Sequence, residues 1–423
     1  MKKLFSICTF TLLTTLLTAQ IARTIDVPTA GTLTNLLTAT EKTTVTELTV
    51  NGIIDFRDIK IIRESLPDLT YIDIRNVTVT EYNGFVLNAD GIAVDLNADG
   101  IINENDKAFY PANSLPNIFN DWKNIKTIKL PASIIKLSNN AFESCSSLSN
   151  ITLPSSLTEI GDQVFQGCNN LSSIIIPETV TKIGNQVFMG CDNLAQINIP
   201  NSVLSIGFLT FGSCSITVEN SNPNYSSLNG LLYNKNQTKL IFCPTAKTGS
   251  FLIPTTVDSI AIGAFYQCVS LTSINIPSSV SSIGNFAFAE CSGLLNIYVS
   301  WMTPLTIANN TSIFLNVNKT LCTLHVPKNT KALYMDANEW KDFLNTNELT
   351  TGLNTIYDKV KVYSTNSEII VDGTFEGEVV SLYTVNGKEI QTMISKGEKI
   401  NLTVDRNSVY LVKTGKKTFK VIP

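Results

Sequence analysis

One phrase of residues is written six times along this chain. Between positions 126 and 300 the pattern Leu-x-x-Ile-x-Ile-Pro-x-x-Val-x-x-Ile-Gly-x-x-x-Phe-x-x-Cys recurs, with Pro131, Pro154, Pro177 and Pro200 a step of 23 apart and Pro254 and Pro277 the same step apart. The Phe (Phe142, Phe165, Phe188, Phe211, Phe265, Phe288) and the Cys (Cys145, Cys168, Cys191, Cys214, Cys268, Cys291) keep phase with it. A period of this size marks units that cannot bury their own apolar face and must stack on neighbours. The chain is therefore expected to be a solenoid whose coils share one core.

Each coil can be read from its own pattern. In Leu-Ser-Ser-Ile-Ile-Ile-Pro at 171–177, Ile174 and Ile176 share a face, which predicts a short strand closed by a Pro that cannot donate to a ladder. A second short apolar piece follows at 180–183, and Gly184 permits the turn that ends it. Val187, Phe188 and Cys191 then return to the inside at a spacing that suits one helical turn. The Cys column reads as small buried core residues carrying free thiols. In-register coils bring such Cα atoms about 5 Å apart, within disulfide range, but stacking points the side chains in parallel.

These signatures resemble the BspA-type leucine-rich repeats of bacterial surface proteins, and the likeness reaches residues 50–57 before the array and 318–343 after it. The resemblance implies secretion or surface display and contact with proteins or cells, without an enzymatic activity. The fold class that follows is mainly β: a leucine-rich repeat solenoid with amino- and carboxy-terminal caps and a small carboxy-terminal β-sandwich.

Alternation identifies the residues facing out. One column reads Thr127, Asn150, Ser173, Gln196, Ser273 and Asn296, and the next Lys129, Thr152, Ile175, Asn198, Asn275 and Tyr298. Stacked strands of solenoids serve as extended binding surfaces. The amides and hydroxyls of Asn150, Thr152, Gln196, Asn198, Ser273, Asn275, Asn296 and Tyr298 suit a protein or glycan ligand, host matrix proteins among them; a merely solvated sheet face is the other reading. With a net charge of −4 there is no Lys/Arg face dense enough to displace counterions, so nucleic acid is not an expected partner. The single histidine, His325, leaves little material for a histidine-based triad or metal cluster, and the strand at 323–326 accounts for it.

From the amino terminus, residues 1–19 have the build of an export signal: Lys2 and Lys3, an apolar run over 4–17 and a Leu-Thr-Ala cleavage site. No other stretch approaches the roughly 20 apolar residues that span a bilayer. Residues 20–125 read as an amino-terminal cap, with strands near 48–50 and 71–74 and a helix carrying Phe56, Ile59, Ile62 and Leu66.

Within that cap, Asp95, Asn97, Asp99, Asn103 and Asp106 occupy positions 1, 3, 5, 9 and 12 of a twelve-residue loop, with Gly100 at 6 and the Ile101 carbonyl at 7. Calcium takes six to eight hard oxygen ligands on a sharply turned loop, so a structural calcium site is expected at 95–106, against the alternative of a solvated polar turn. The loop resembles EF-hand loops, and with Asp at position 12 it looks closest to those of dockerin modules. Residues 87–92 echo 96–101 but have Val86 where a first ligand belongs.

Cys214 and Cys268 stand 54 apart, two periods plus eight, and the surplus falls in 220–249. Apolar runs at 230–233 and 239–242 around a polar 234–238 predict a hairpin within the stack, projecting as a second contact surface. Beyond 301 the period fades into a closing cap through 350: a last strand at 321–327 and a short helix over 330–343 with Leu333, Tyr334, Ala337 and Trp340 on one side. Residues 351–423 combine a polar linker with alternating runs around an Asn386-Gly387 turn, the expected β-sandwich. Their Leu-Tyr-x-x-x-Gly-Lys, Val-Tyr-Leu-Val and Phe-Lys-Val-Ile elements resemble the sorting domain of the bacterial type IX secretion system, with Ser408 where that family usually has Gly. That resemblance implies a secretion-machinery partner and a product secreted or held at the outer cell surface; an accessory domain that stays on the protein is the alternative.

The functional expectation is a non-enzymatic secreted or cell-surface recognition and adhesion protein. A structural spacer is the alternative, and a surface-polymer hydrolase a weaker one, since Glu143, Glu159, Glu178 and Asp258 do not recur as an acid/base pair.

Overall fold

The computed structural model describes residues 20–85, 107–307, 312–349 and most of 361–421. The export signal at 1–19, the calcium loop at 95–106 and Ser408 lie outside the described residues.

The chain is the expected mainly β solenoid. Its principal ladder is parallel throughout and runs through Ala22–Val27, Glu47–Ile54, Tyr71–Val79, Thr127–Lys129 and Asn150–Thr152. It resumes with Gln196–Ile199 and Ser215–Val218, and again from Gly249–Leu252 through Leu271–Ile276, Asn296–Val299 and Thr323–Val326 to Asn345–Glu348. A second parallel series of two-residue strands, from Ser114–Leu115 to Ser205–Ile206, lines another side of the coils. The strands assigned above to the amino-terminal cap thus belong to the same ladder as the repeats. The helix between them, Phe56–Ser65, starts at a reciprocal cap between Asp55 and Asp58 and buries Phe56, Ile59 and Ile62.

The core is a set of columns. Phe119, Phe142, Phe165, Phe188 and Phe211 stack with centroids 5.6 to 6.1 Å apart and planes within 12°. Phe265, Phe288 and Phe314 form a second stack. Beside them every described cysteine is buried and unbridged. The thiols of Cys145, Cys168, Cys191 and Cys291 donate to the carbonyls of Phe119, Phe142, Phe165 and Phe265 at 3.0 to 3.2 Å. Sulfur here fills a small apolar slot and ties each coil to the one before it. Burial pushes the Cys145 and Cys191 thiols up to about 12. A thiol raised from an unfolded value near 9.0 stays protonated in the folded state, so its contribution to stability is complete below pH 9 and declines as pH rises past it. The native chain is expected to resist a thiol-reactive chromophore at neutral pH and to react at all the buried cysteines once unfolded in urea; reaction in native buffer would show that the coils open.

Three details differ from the expectations. Residues 185–190 form tight turns rather than a helical turn, with Gln186 and Gly190 at φ 54° and 73°. The reason is that turn N–H groups are satisfied between coils: Gln163, Phe165 and Gly167 donate to Asn185, Val187 and Met189 at 2.8, 3.0 and 2.8 Å. Residues 171–177 bury Leu171, Ile174 and Ile176 as a strand does but do not join the ladder, because the core dictates side-chain burial without dictating backbone pairing. Towards the carboxy terminus the helix is only Lys331–Asp336; Tyr334 and Trp340 close the end of the core, while Leu333, one position round the helix from buried Tyr334, is exposed.

The region from 361 holds antiparallel strands in two sheets around their own core, including Ile369, Val380, Leu382, Leu402 and Val412. Its Asn386-Gly387 turn closes the expected hairpin, with Gly387 at φ 82° and Thr384 N–H donating to Lys388 O at 2.8 Å.

Candidate ligand-binding face

The outward residues of the principal ladder change character along its length. At the start Asp73 pairs with Arg75 at 2.8 Å and lies 3.8 Å from Lys129, so charges neutralise one another locally. From Asn150 onward the face is almost uncharged. Asn150, Thr152, Gln196 and Asn198 are exposed, as their alternation requires. Thr217, in register with Asn198, accepts from Gln196 Nε2 at 3.3 Å and sits 3.1 Å from Asn198 Oδ1, giving one connected amide and hydroxyl patch. Between this patch and Thr152, Ile175 is 85% exposed, the most exposed large apolar side chain among the described residues.

A second patch is aromatic. Tyr298 and His325, opposite each other in register, stack at 4.2 Å with planes 8° apart. His325 Nε2 meets Asn296 Oδ1 at 2.9 Å, and Ser273, Asn296 and Tyr298 are half-buried. Asn275 departs from expectation: it is only 6% exposed, because its neighbours in the column are Leu252 and Tyr298, and its Oδ1 has no partner among the described residues. His325 belongs to this patch although its place in a strand had explained it away; an aromatic at the same register one coil earlier, Tyr298, was the available signal. Burial lowers the His325 pKa below the ordinary 6.5. The unfolded chain therefore binds a proton first as pH falls, and stability that is complete above 6.5 declines below it. As the only histidine, His325 gives one imidazole signal by NMR, expected to titrate below 6.5; a midpoint at or above that value would show the ring to be solvated.

The carboxylates weighed for hydrolysis do not converge. Glu159 is clamped between Lys182 at 2.9 Å and Lys136 at 3.2 Å, and the Lys182 hydrogen bond holds it below the usual range. Glu143 accepts from Asn140 at 2.7 Å. Exposed Glu178 has its carboxyl raised, by desolvation first and by Glu219 beside it. Among the described residues no group of three or more His, Cys, Asp or Glu could hold a metal, and no helix is long and apolar enough to cross a membrane.

Stacked coils of this period, with a parallel ladder carrying the outward face, define a leucine-rich-repeat solenoid. Residues 115–240 and 238–368 match the model of the BspA type leucine-rich repeat region, and the chain belongs to that family. Similar solved structures include a leucine-rich repeat protein from Eubacterium ventriosum, 22% identical, covering 67% of this chain and 66% of that one with a TM-score of 0.39. The pneumococcal vaccine antigen PcpA is 22% identical over 48% of this chain and 62% of its own, with a TM-score of 0.35. A leucine-rich cell surface protein of Faecalibacterium prausnitzii is 21% identical over 64% and 95%, with a TM-score of 0.35. A search of curated proteins returns no match.

Proposed function

We propose that this protein is a non-enzymatic recognition or adhesion protein of the cell exterior that binds a protein ligand along the outward face of its ladder. The observation that carries the reading is a neutral surface of amides and hydroxyls with Ile175 standing 85% exposed within it. Interfaces draw most of their energy from a few apolar or aromatic anchors set in a polar surround. Ile175 and the Tyr298–His325 pair are such anchors, and Gln196, Asn198 and Thr217 the surround. Family membership supports a binding role, and the leader-like 1–19 and the tail's resemblance to a type IX sorting domain support export. Asp95, Asn97, Asp99, the Ile101 carbonyl, Asn103 and Asp106 would hold a calcium ion bracing the loop at 95–106. The strands Tyr82–Phe85 and Lys107–Tyr110 pair on either side of the longer segment that contains this loop, which is consistent with such a brace.

The test is a binding screen of the protein lacking 351–423 against matrix proteins and glycans, with calcium and with chelator. Ile175→Ala and Tyr298→Ala are expected to weaken the binding found by about tenfold each, a loss of about 1.4 kcal/mol. Retention of every interaction by both variants would favour a spacer, and capture of glycans alone would replace the protein ligand.

A further inference from the structure

The turns of regular coils engage one another through a repeated polar side chain. Asn139, Asp162 and Asn185 hold one position of successive coils, and each accepts a backbone N–H from the following coil; Asn285 does so again further on, from Ser312 at 2.7 Å. Beside them Asn140 Nδ2 donates to Gln163 Oε1 and Gln163 Nε2 to Gln186 Oε1, both at 3.0 Å. In two coils the repeated position carries no acceptor. It is Phe208 after Ile206-Gly207 and Ile262 after Ile260-Ala261, and both side chains are half exposed, at 49% and 48%. Large apolar groups left in water side by side mark an interaction site rather than a packing need.

The coil between these two is the hairpin coil, and its turn is short. Register places Leu240 opposite Ile260, and the Cys243 N–H donates to Ala264 O at 2.8 Å, so Cys243 holds the position of Phe265. Three residues thus cover the path that takes five in the next coil. The Thr245 N–H bonds Gly212 O at 3.1 Å, so the short coil is tied to the neighbour on either side. Between Phe208 and Ile262 lies a cleft of about 460 Å3, within the usual range of binding pockets. Buried Phe211 and Phe242, tilted by 54°, line its inner part. Leu209 reaches across to Gly263 and leaves no room for a Cβ there, so the two walls are held at a fixed spacing.

The remaining lining is polar. The side chains of Ser213, Lys239, Thr245, Tyr266 and Gln267 make no hydrogen bond or ion pair among the described residues, in contrast to the mutually bonded amides of the regular turns. Together they present both donors and acceptors. We propose that this cleft binds one or two sugar rings of a glycan. A pyranose has an apolar face of C–H groups, which Phe208 and Ile262 would cover, and a rim of hydroxyls that each donate and accept, which the five polar side chains would meet. A wholly apolar ligand would strip water from those groups without replacing its hydrogen bonds. An added peptide strand would find the acceptor Ala264 O already taken by Cys243. None of the ligand-face residues lines the cleft, so this site is independent of the face described above.

The test uses the full chain with maltose, cellobiose, lactose and N,N′-diacetylchitobiose as probes, followed by saturation-transfer NMR. Saturable binding of at least one disaccharide is expected, with transfer strongest to the C–H protons of one ring face. Phe208→Ala should weaken it by at least about tenfold and Lys239→Ala by about three- to tenfold, the worth of one hydrogen bond. Both side chains are exposed, so the circular dichroism of these variants should match the wild type and the loss is then local. Leu295→Ala, exposed but no part of the cleft, should leave binding unchanged. Any of three results would overturn the proposal: no saturable binding of any of the four sugars at millimolar concentration, binding that survives both cleft substitutions, or an anilinonaphthalene dye whose binding is lost in Phe208→Ala yet is displaced by none of the sugars.

Discussion

Phe165→Ala is expected to destabilise the array by about 3–5 kcal/mol, the range for removing a large buried ring. The ring is fully buried between Phe142 and Phe188, with centroids 5.6 and 5.7 Å away. Its backbone cannot follow it inward, since the Phe165 N–H is bonded to Val187 O at 3.0 Å and its carbonyl accepts from Cys191 Sγ at 3.1 Å. The cavity therefore stays open, and the loss should fall at the upper end of that range. Each coil contacts only its neighbours, so the damage weakens two interfaces and no others. Urea unfolding should show a lower midpoint at unchanged slope. Phe208→Ala, half exposed, is the control and should cost much less. A loss below about 1 kcal/mol at Phe165 would mean that the ring stack is not the continuous core described above.

Gly184→Ala should cost about 1–3 kcal/mol by overpacking, and the cause is the neighbouring coil. A Cβ at Gly184 would lie 2.6 Å from the Gly161 carbonyl carbon and oxygen and 2.5 Å from Asp162 Oδ1. Those atoms cannot retreat cheaply, because Gly184 N–H bonds Ile160 O at 2.9 Å and Asp162 Oδ1 accepts from Asn185 N–H at 2.7 Å. The coils must part locally, and hydrogen exchange across 160–162 should speed up. Gly387 provides the contrast. It sits at φ 82° with nothing within 4 Å of a built Cβ, so Gly387→Ala incurs only the left-handed penalty of about 1 kcal/mol. Equal exchange at 160–162 in wild type and Gly184→Ala would refute close coil approach as the reason for the Ile-Gly motif.

That motif shows how far the residues could be read unaided. Gly184 stood out by its period, and it looked like a turn glycine, yet it is absent from the positions with positive φ. Its role becomes visible only when Gly161 is placed against it. The same holds for the residue after it. Asn139, Asp162 and Asn185 each accept a backbone N–H from the following coil, at 2.8, 2.7 and 3.0 Å, a ladder that composition alone reads as ordinary polar turns. On the candidate face, alternation correctly exposed Asn150, Thr152, Gln196 and Asn198, because a strand's period of two leaves no other choice. It misplaced Asn275, whose burial depends on Leu252 and Tyr298 in adjacent coils.

The hairpin coil divides the two kinds of information most clearly. Counting from Cys214 to Cys268 reveals a surplus of residues, and a surplus reads as an addition. In three dimensions that coil has gained a hairpin and also runs short, with Leu240 opposite Ile260 and Ser250 opposite Ser273, and a sum of lengths cannot separate a gain from a loss. Period, strand alternation and the Phe and Cys columns were determined by the sequence, since burying one apolar face every 23 residues admits little besides stacked coils. Which backbone groups find partners in the next coil, which outward residues stay wet, and where the stack leaves its edges unpaired were decided by the tertiary structure, because each depends on atoms of a neighbouring coil about 5 Å away rather than on the residue itself.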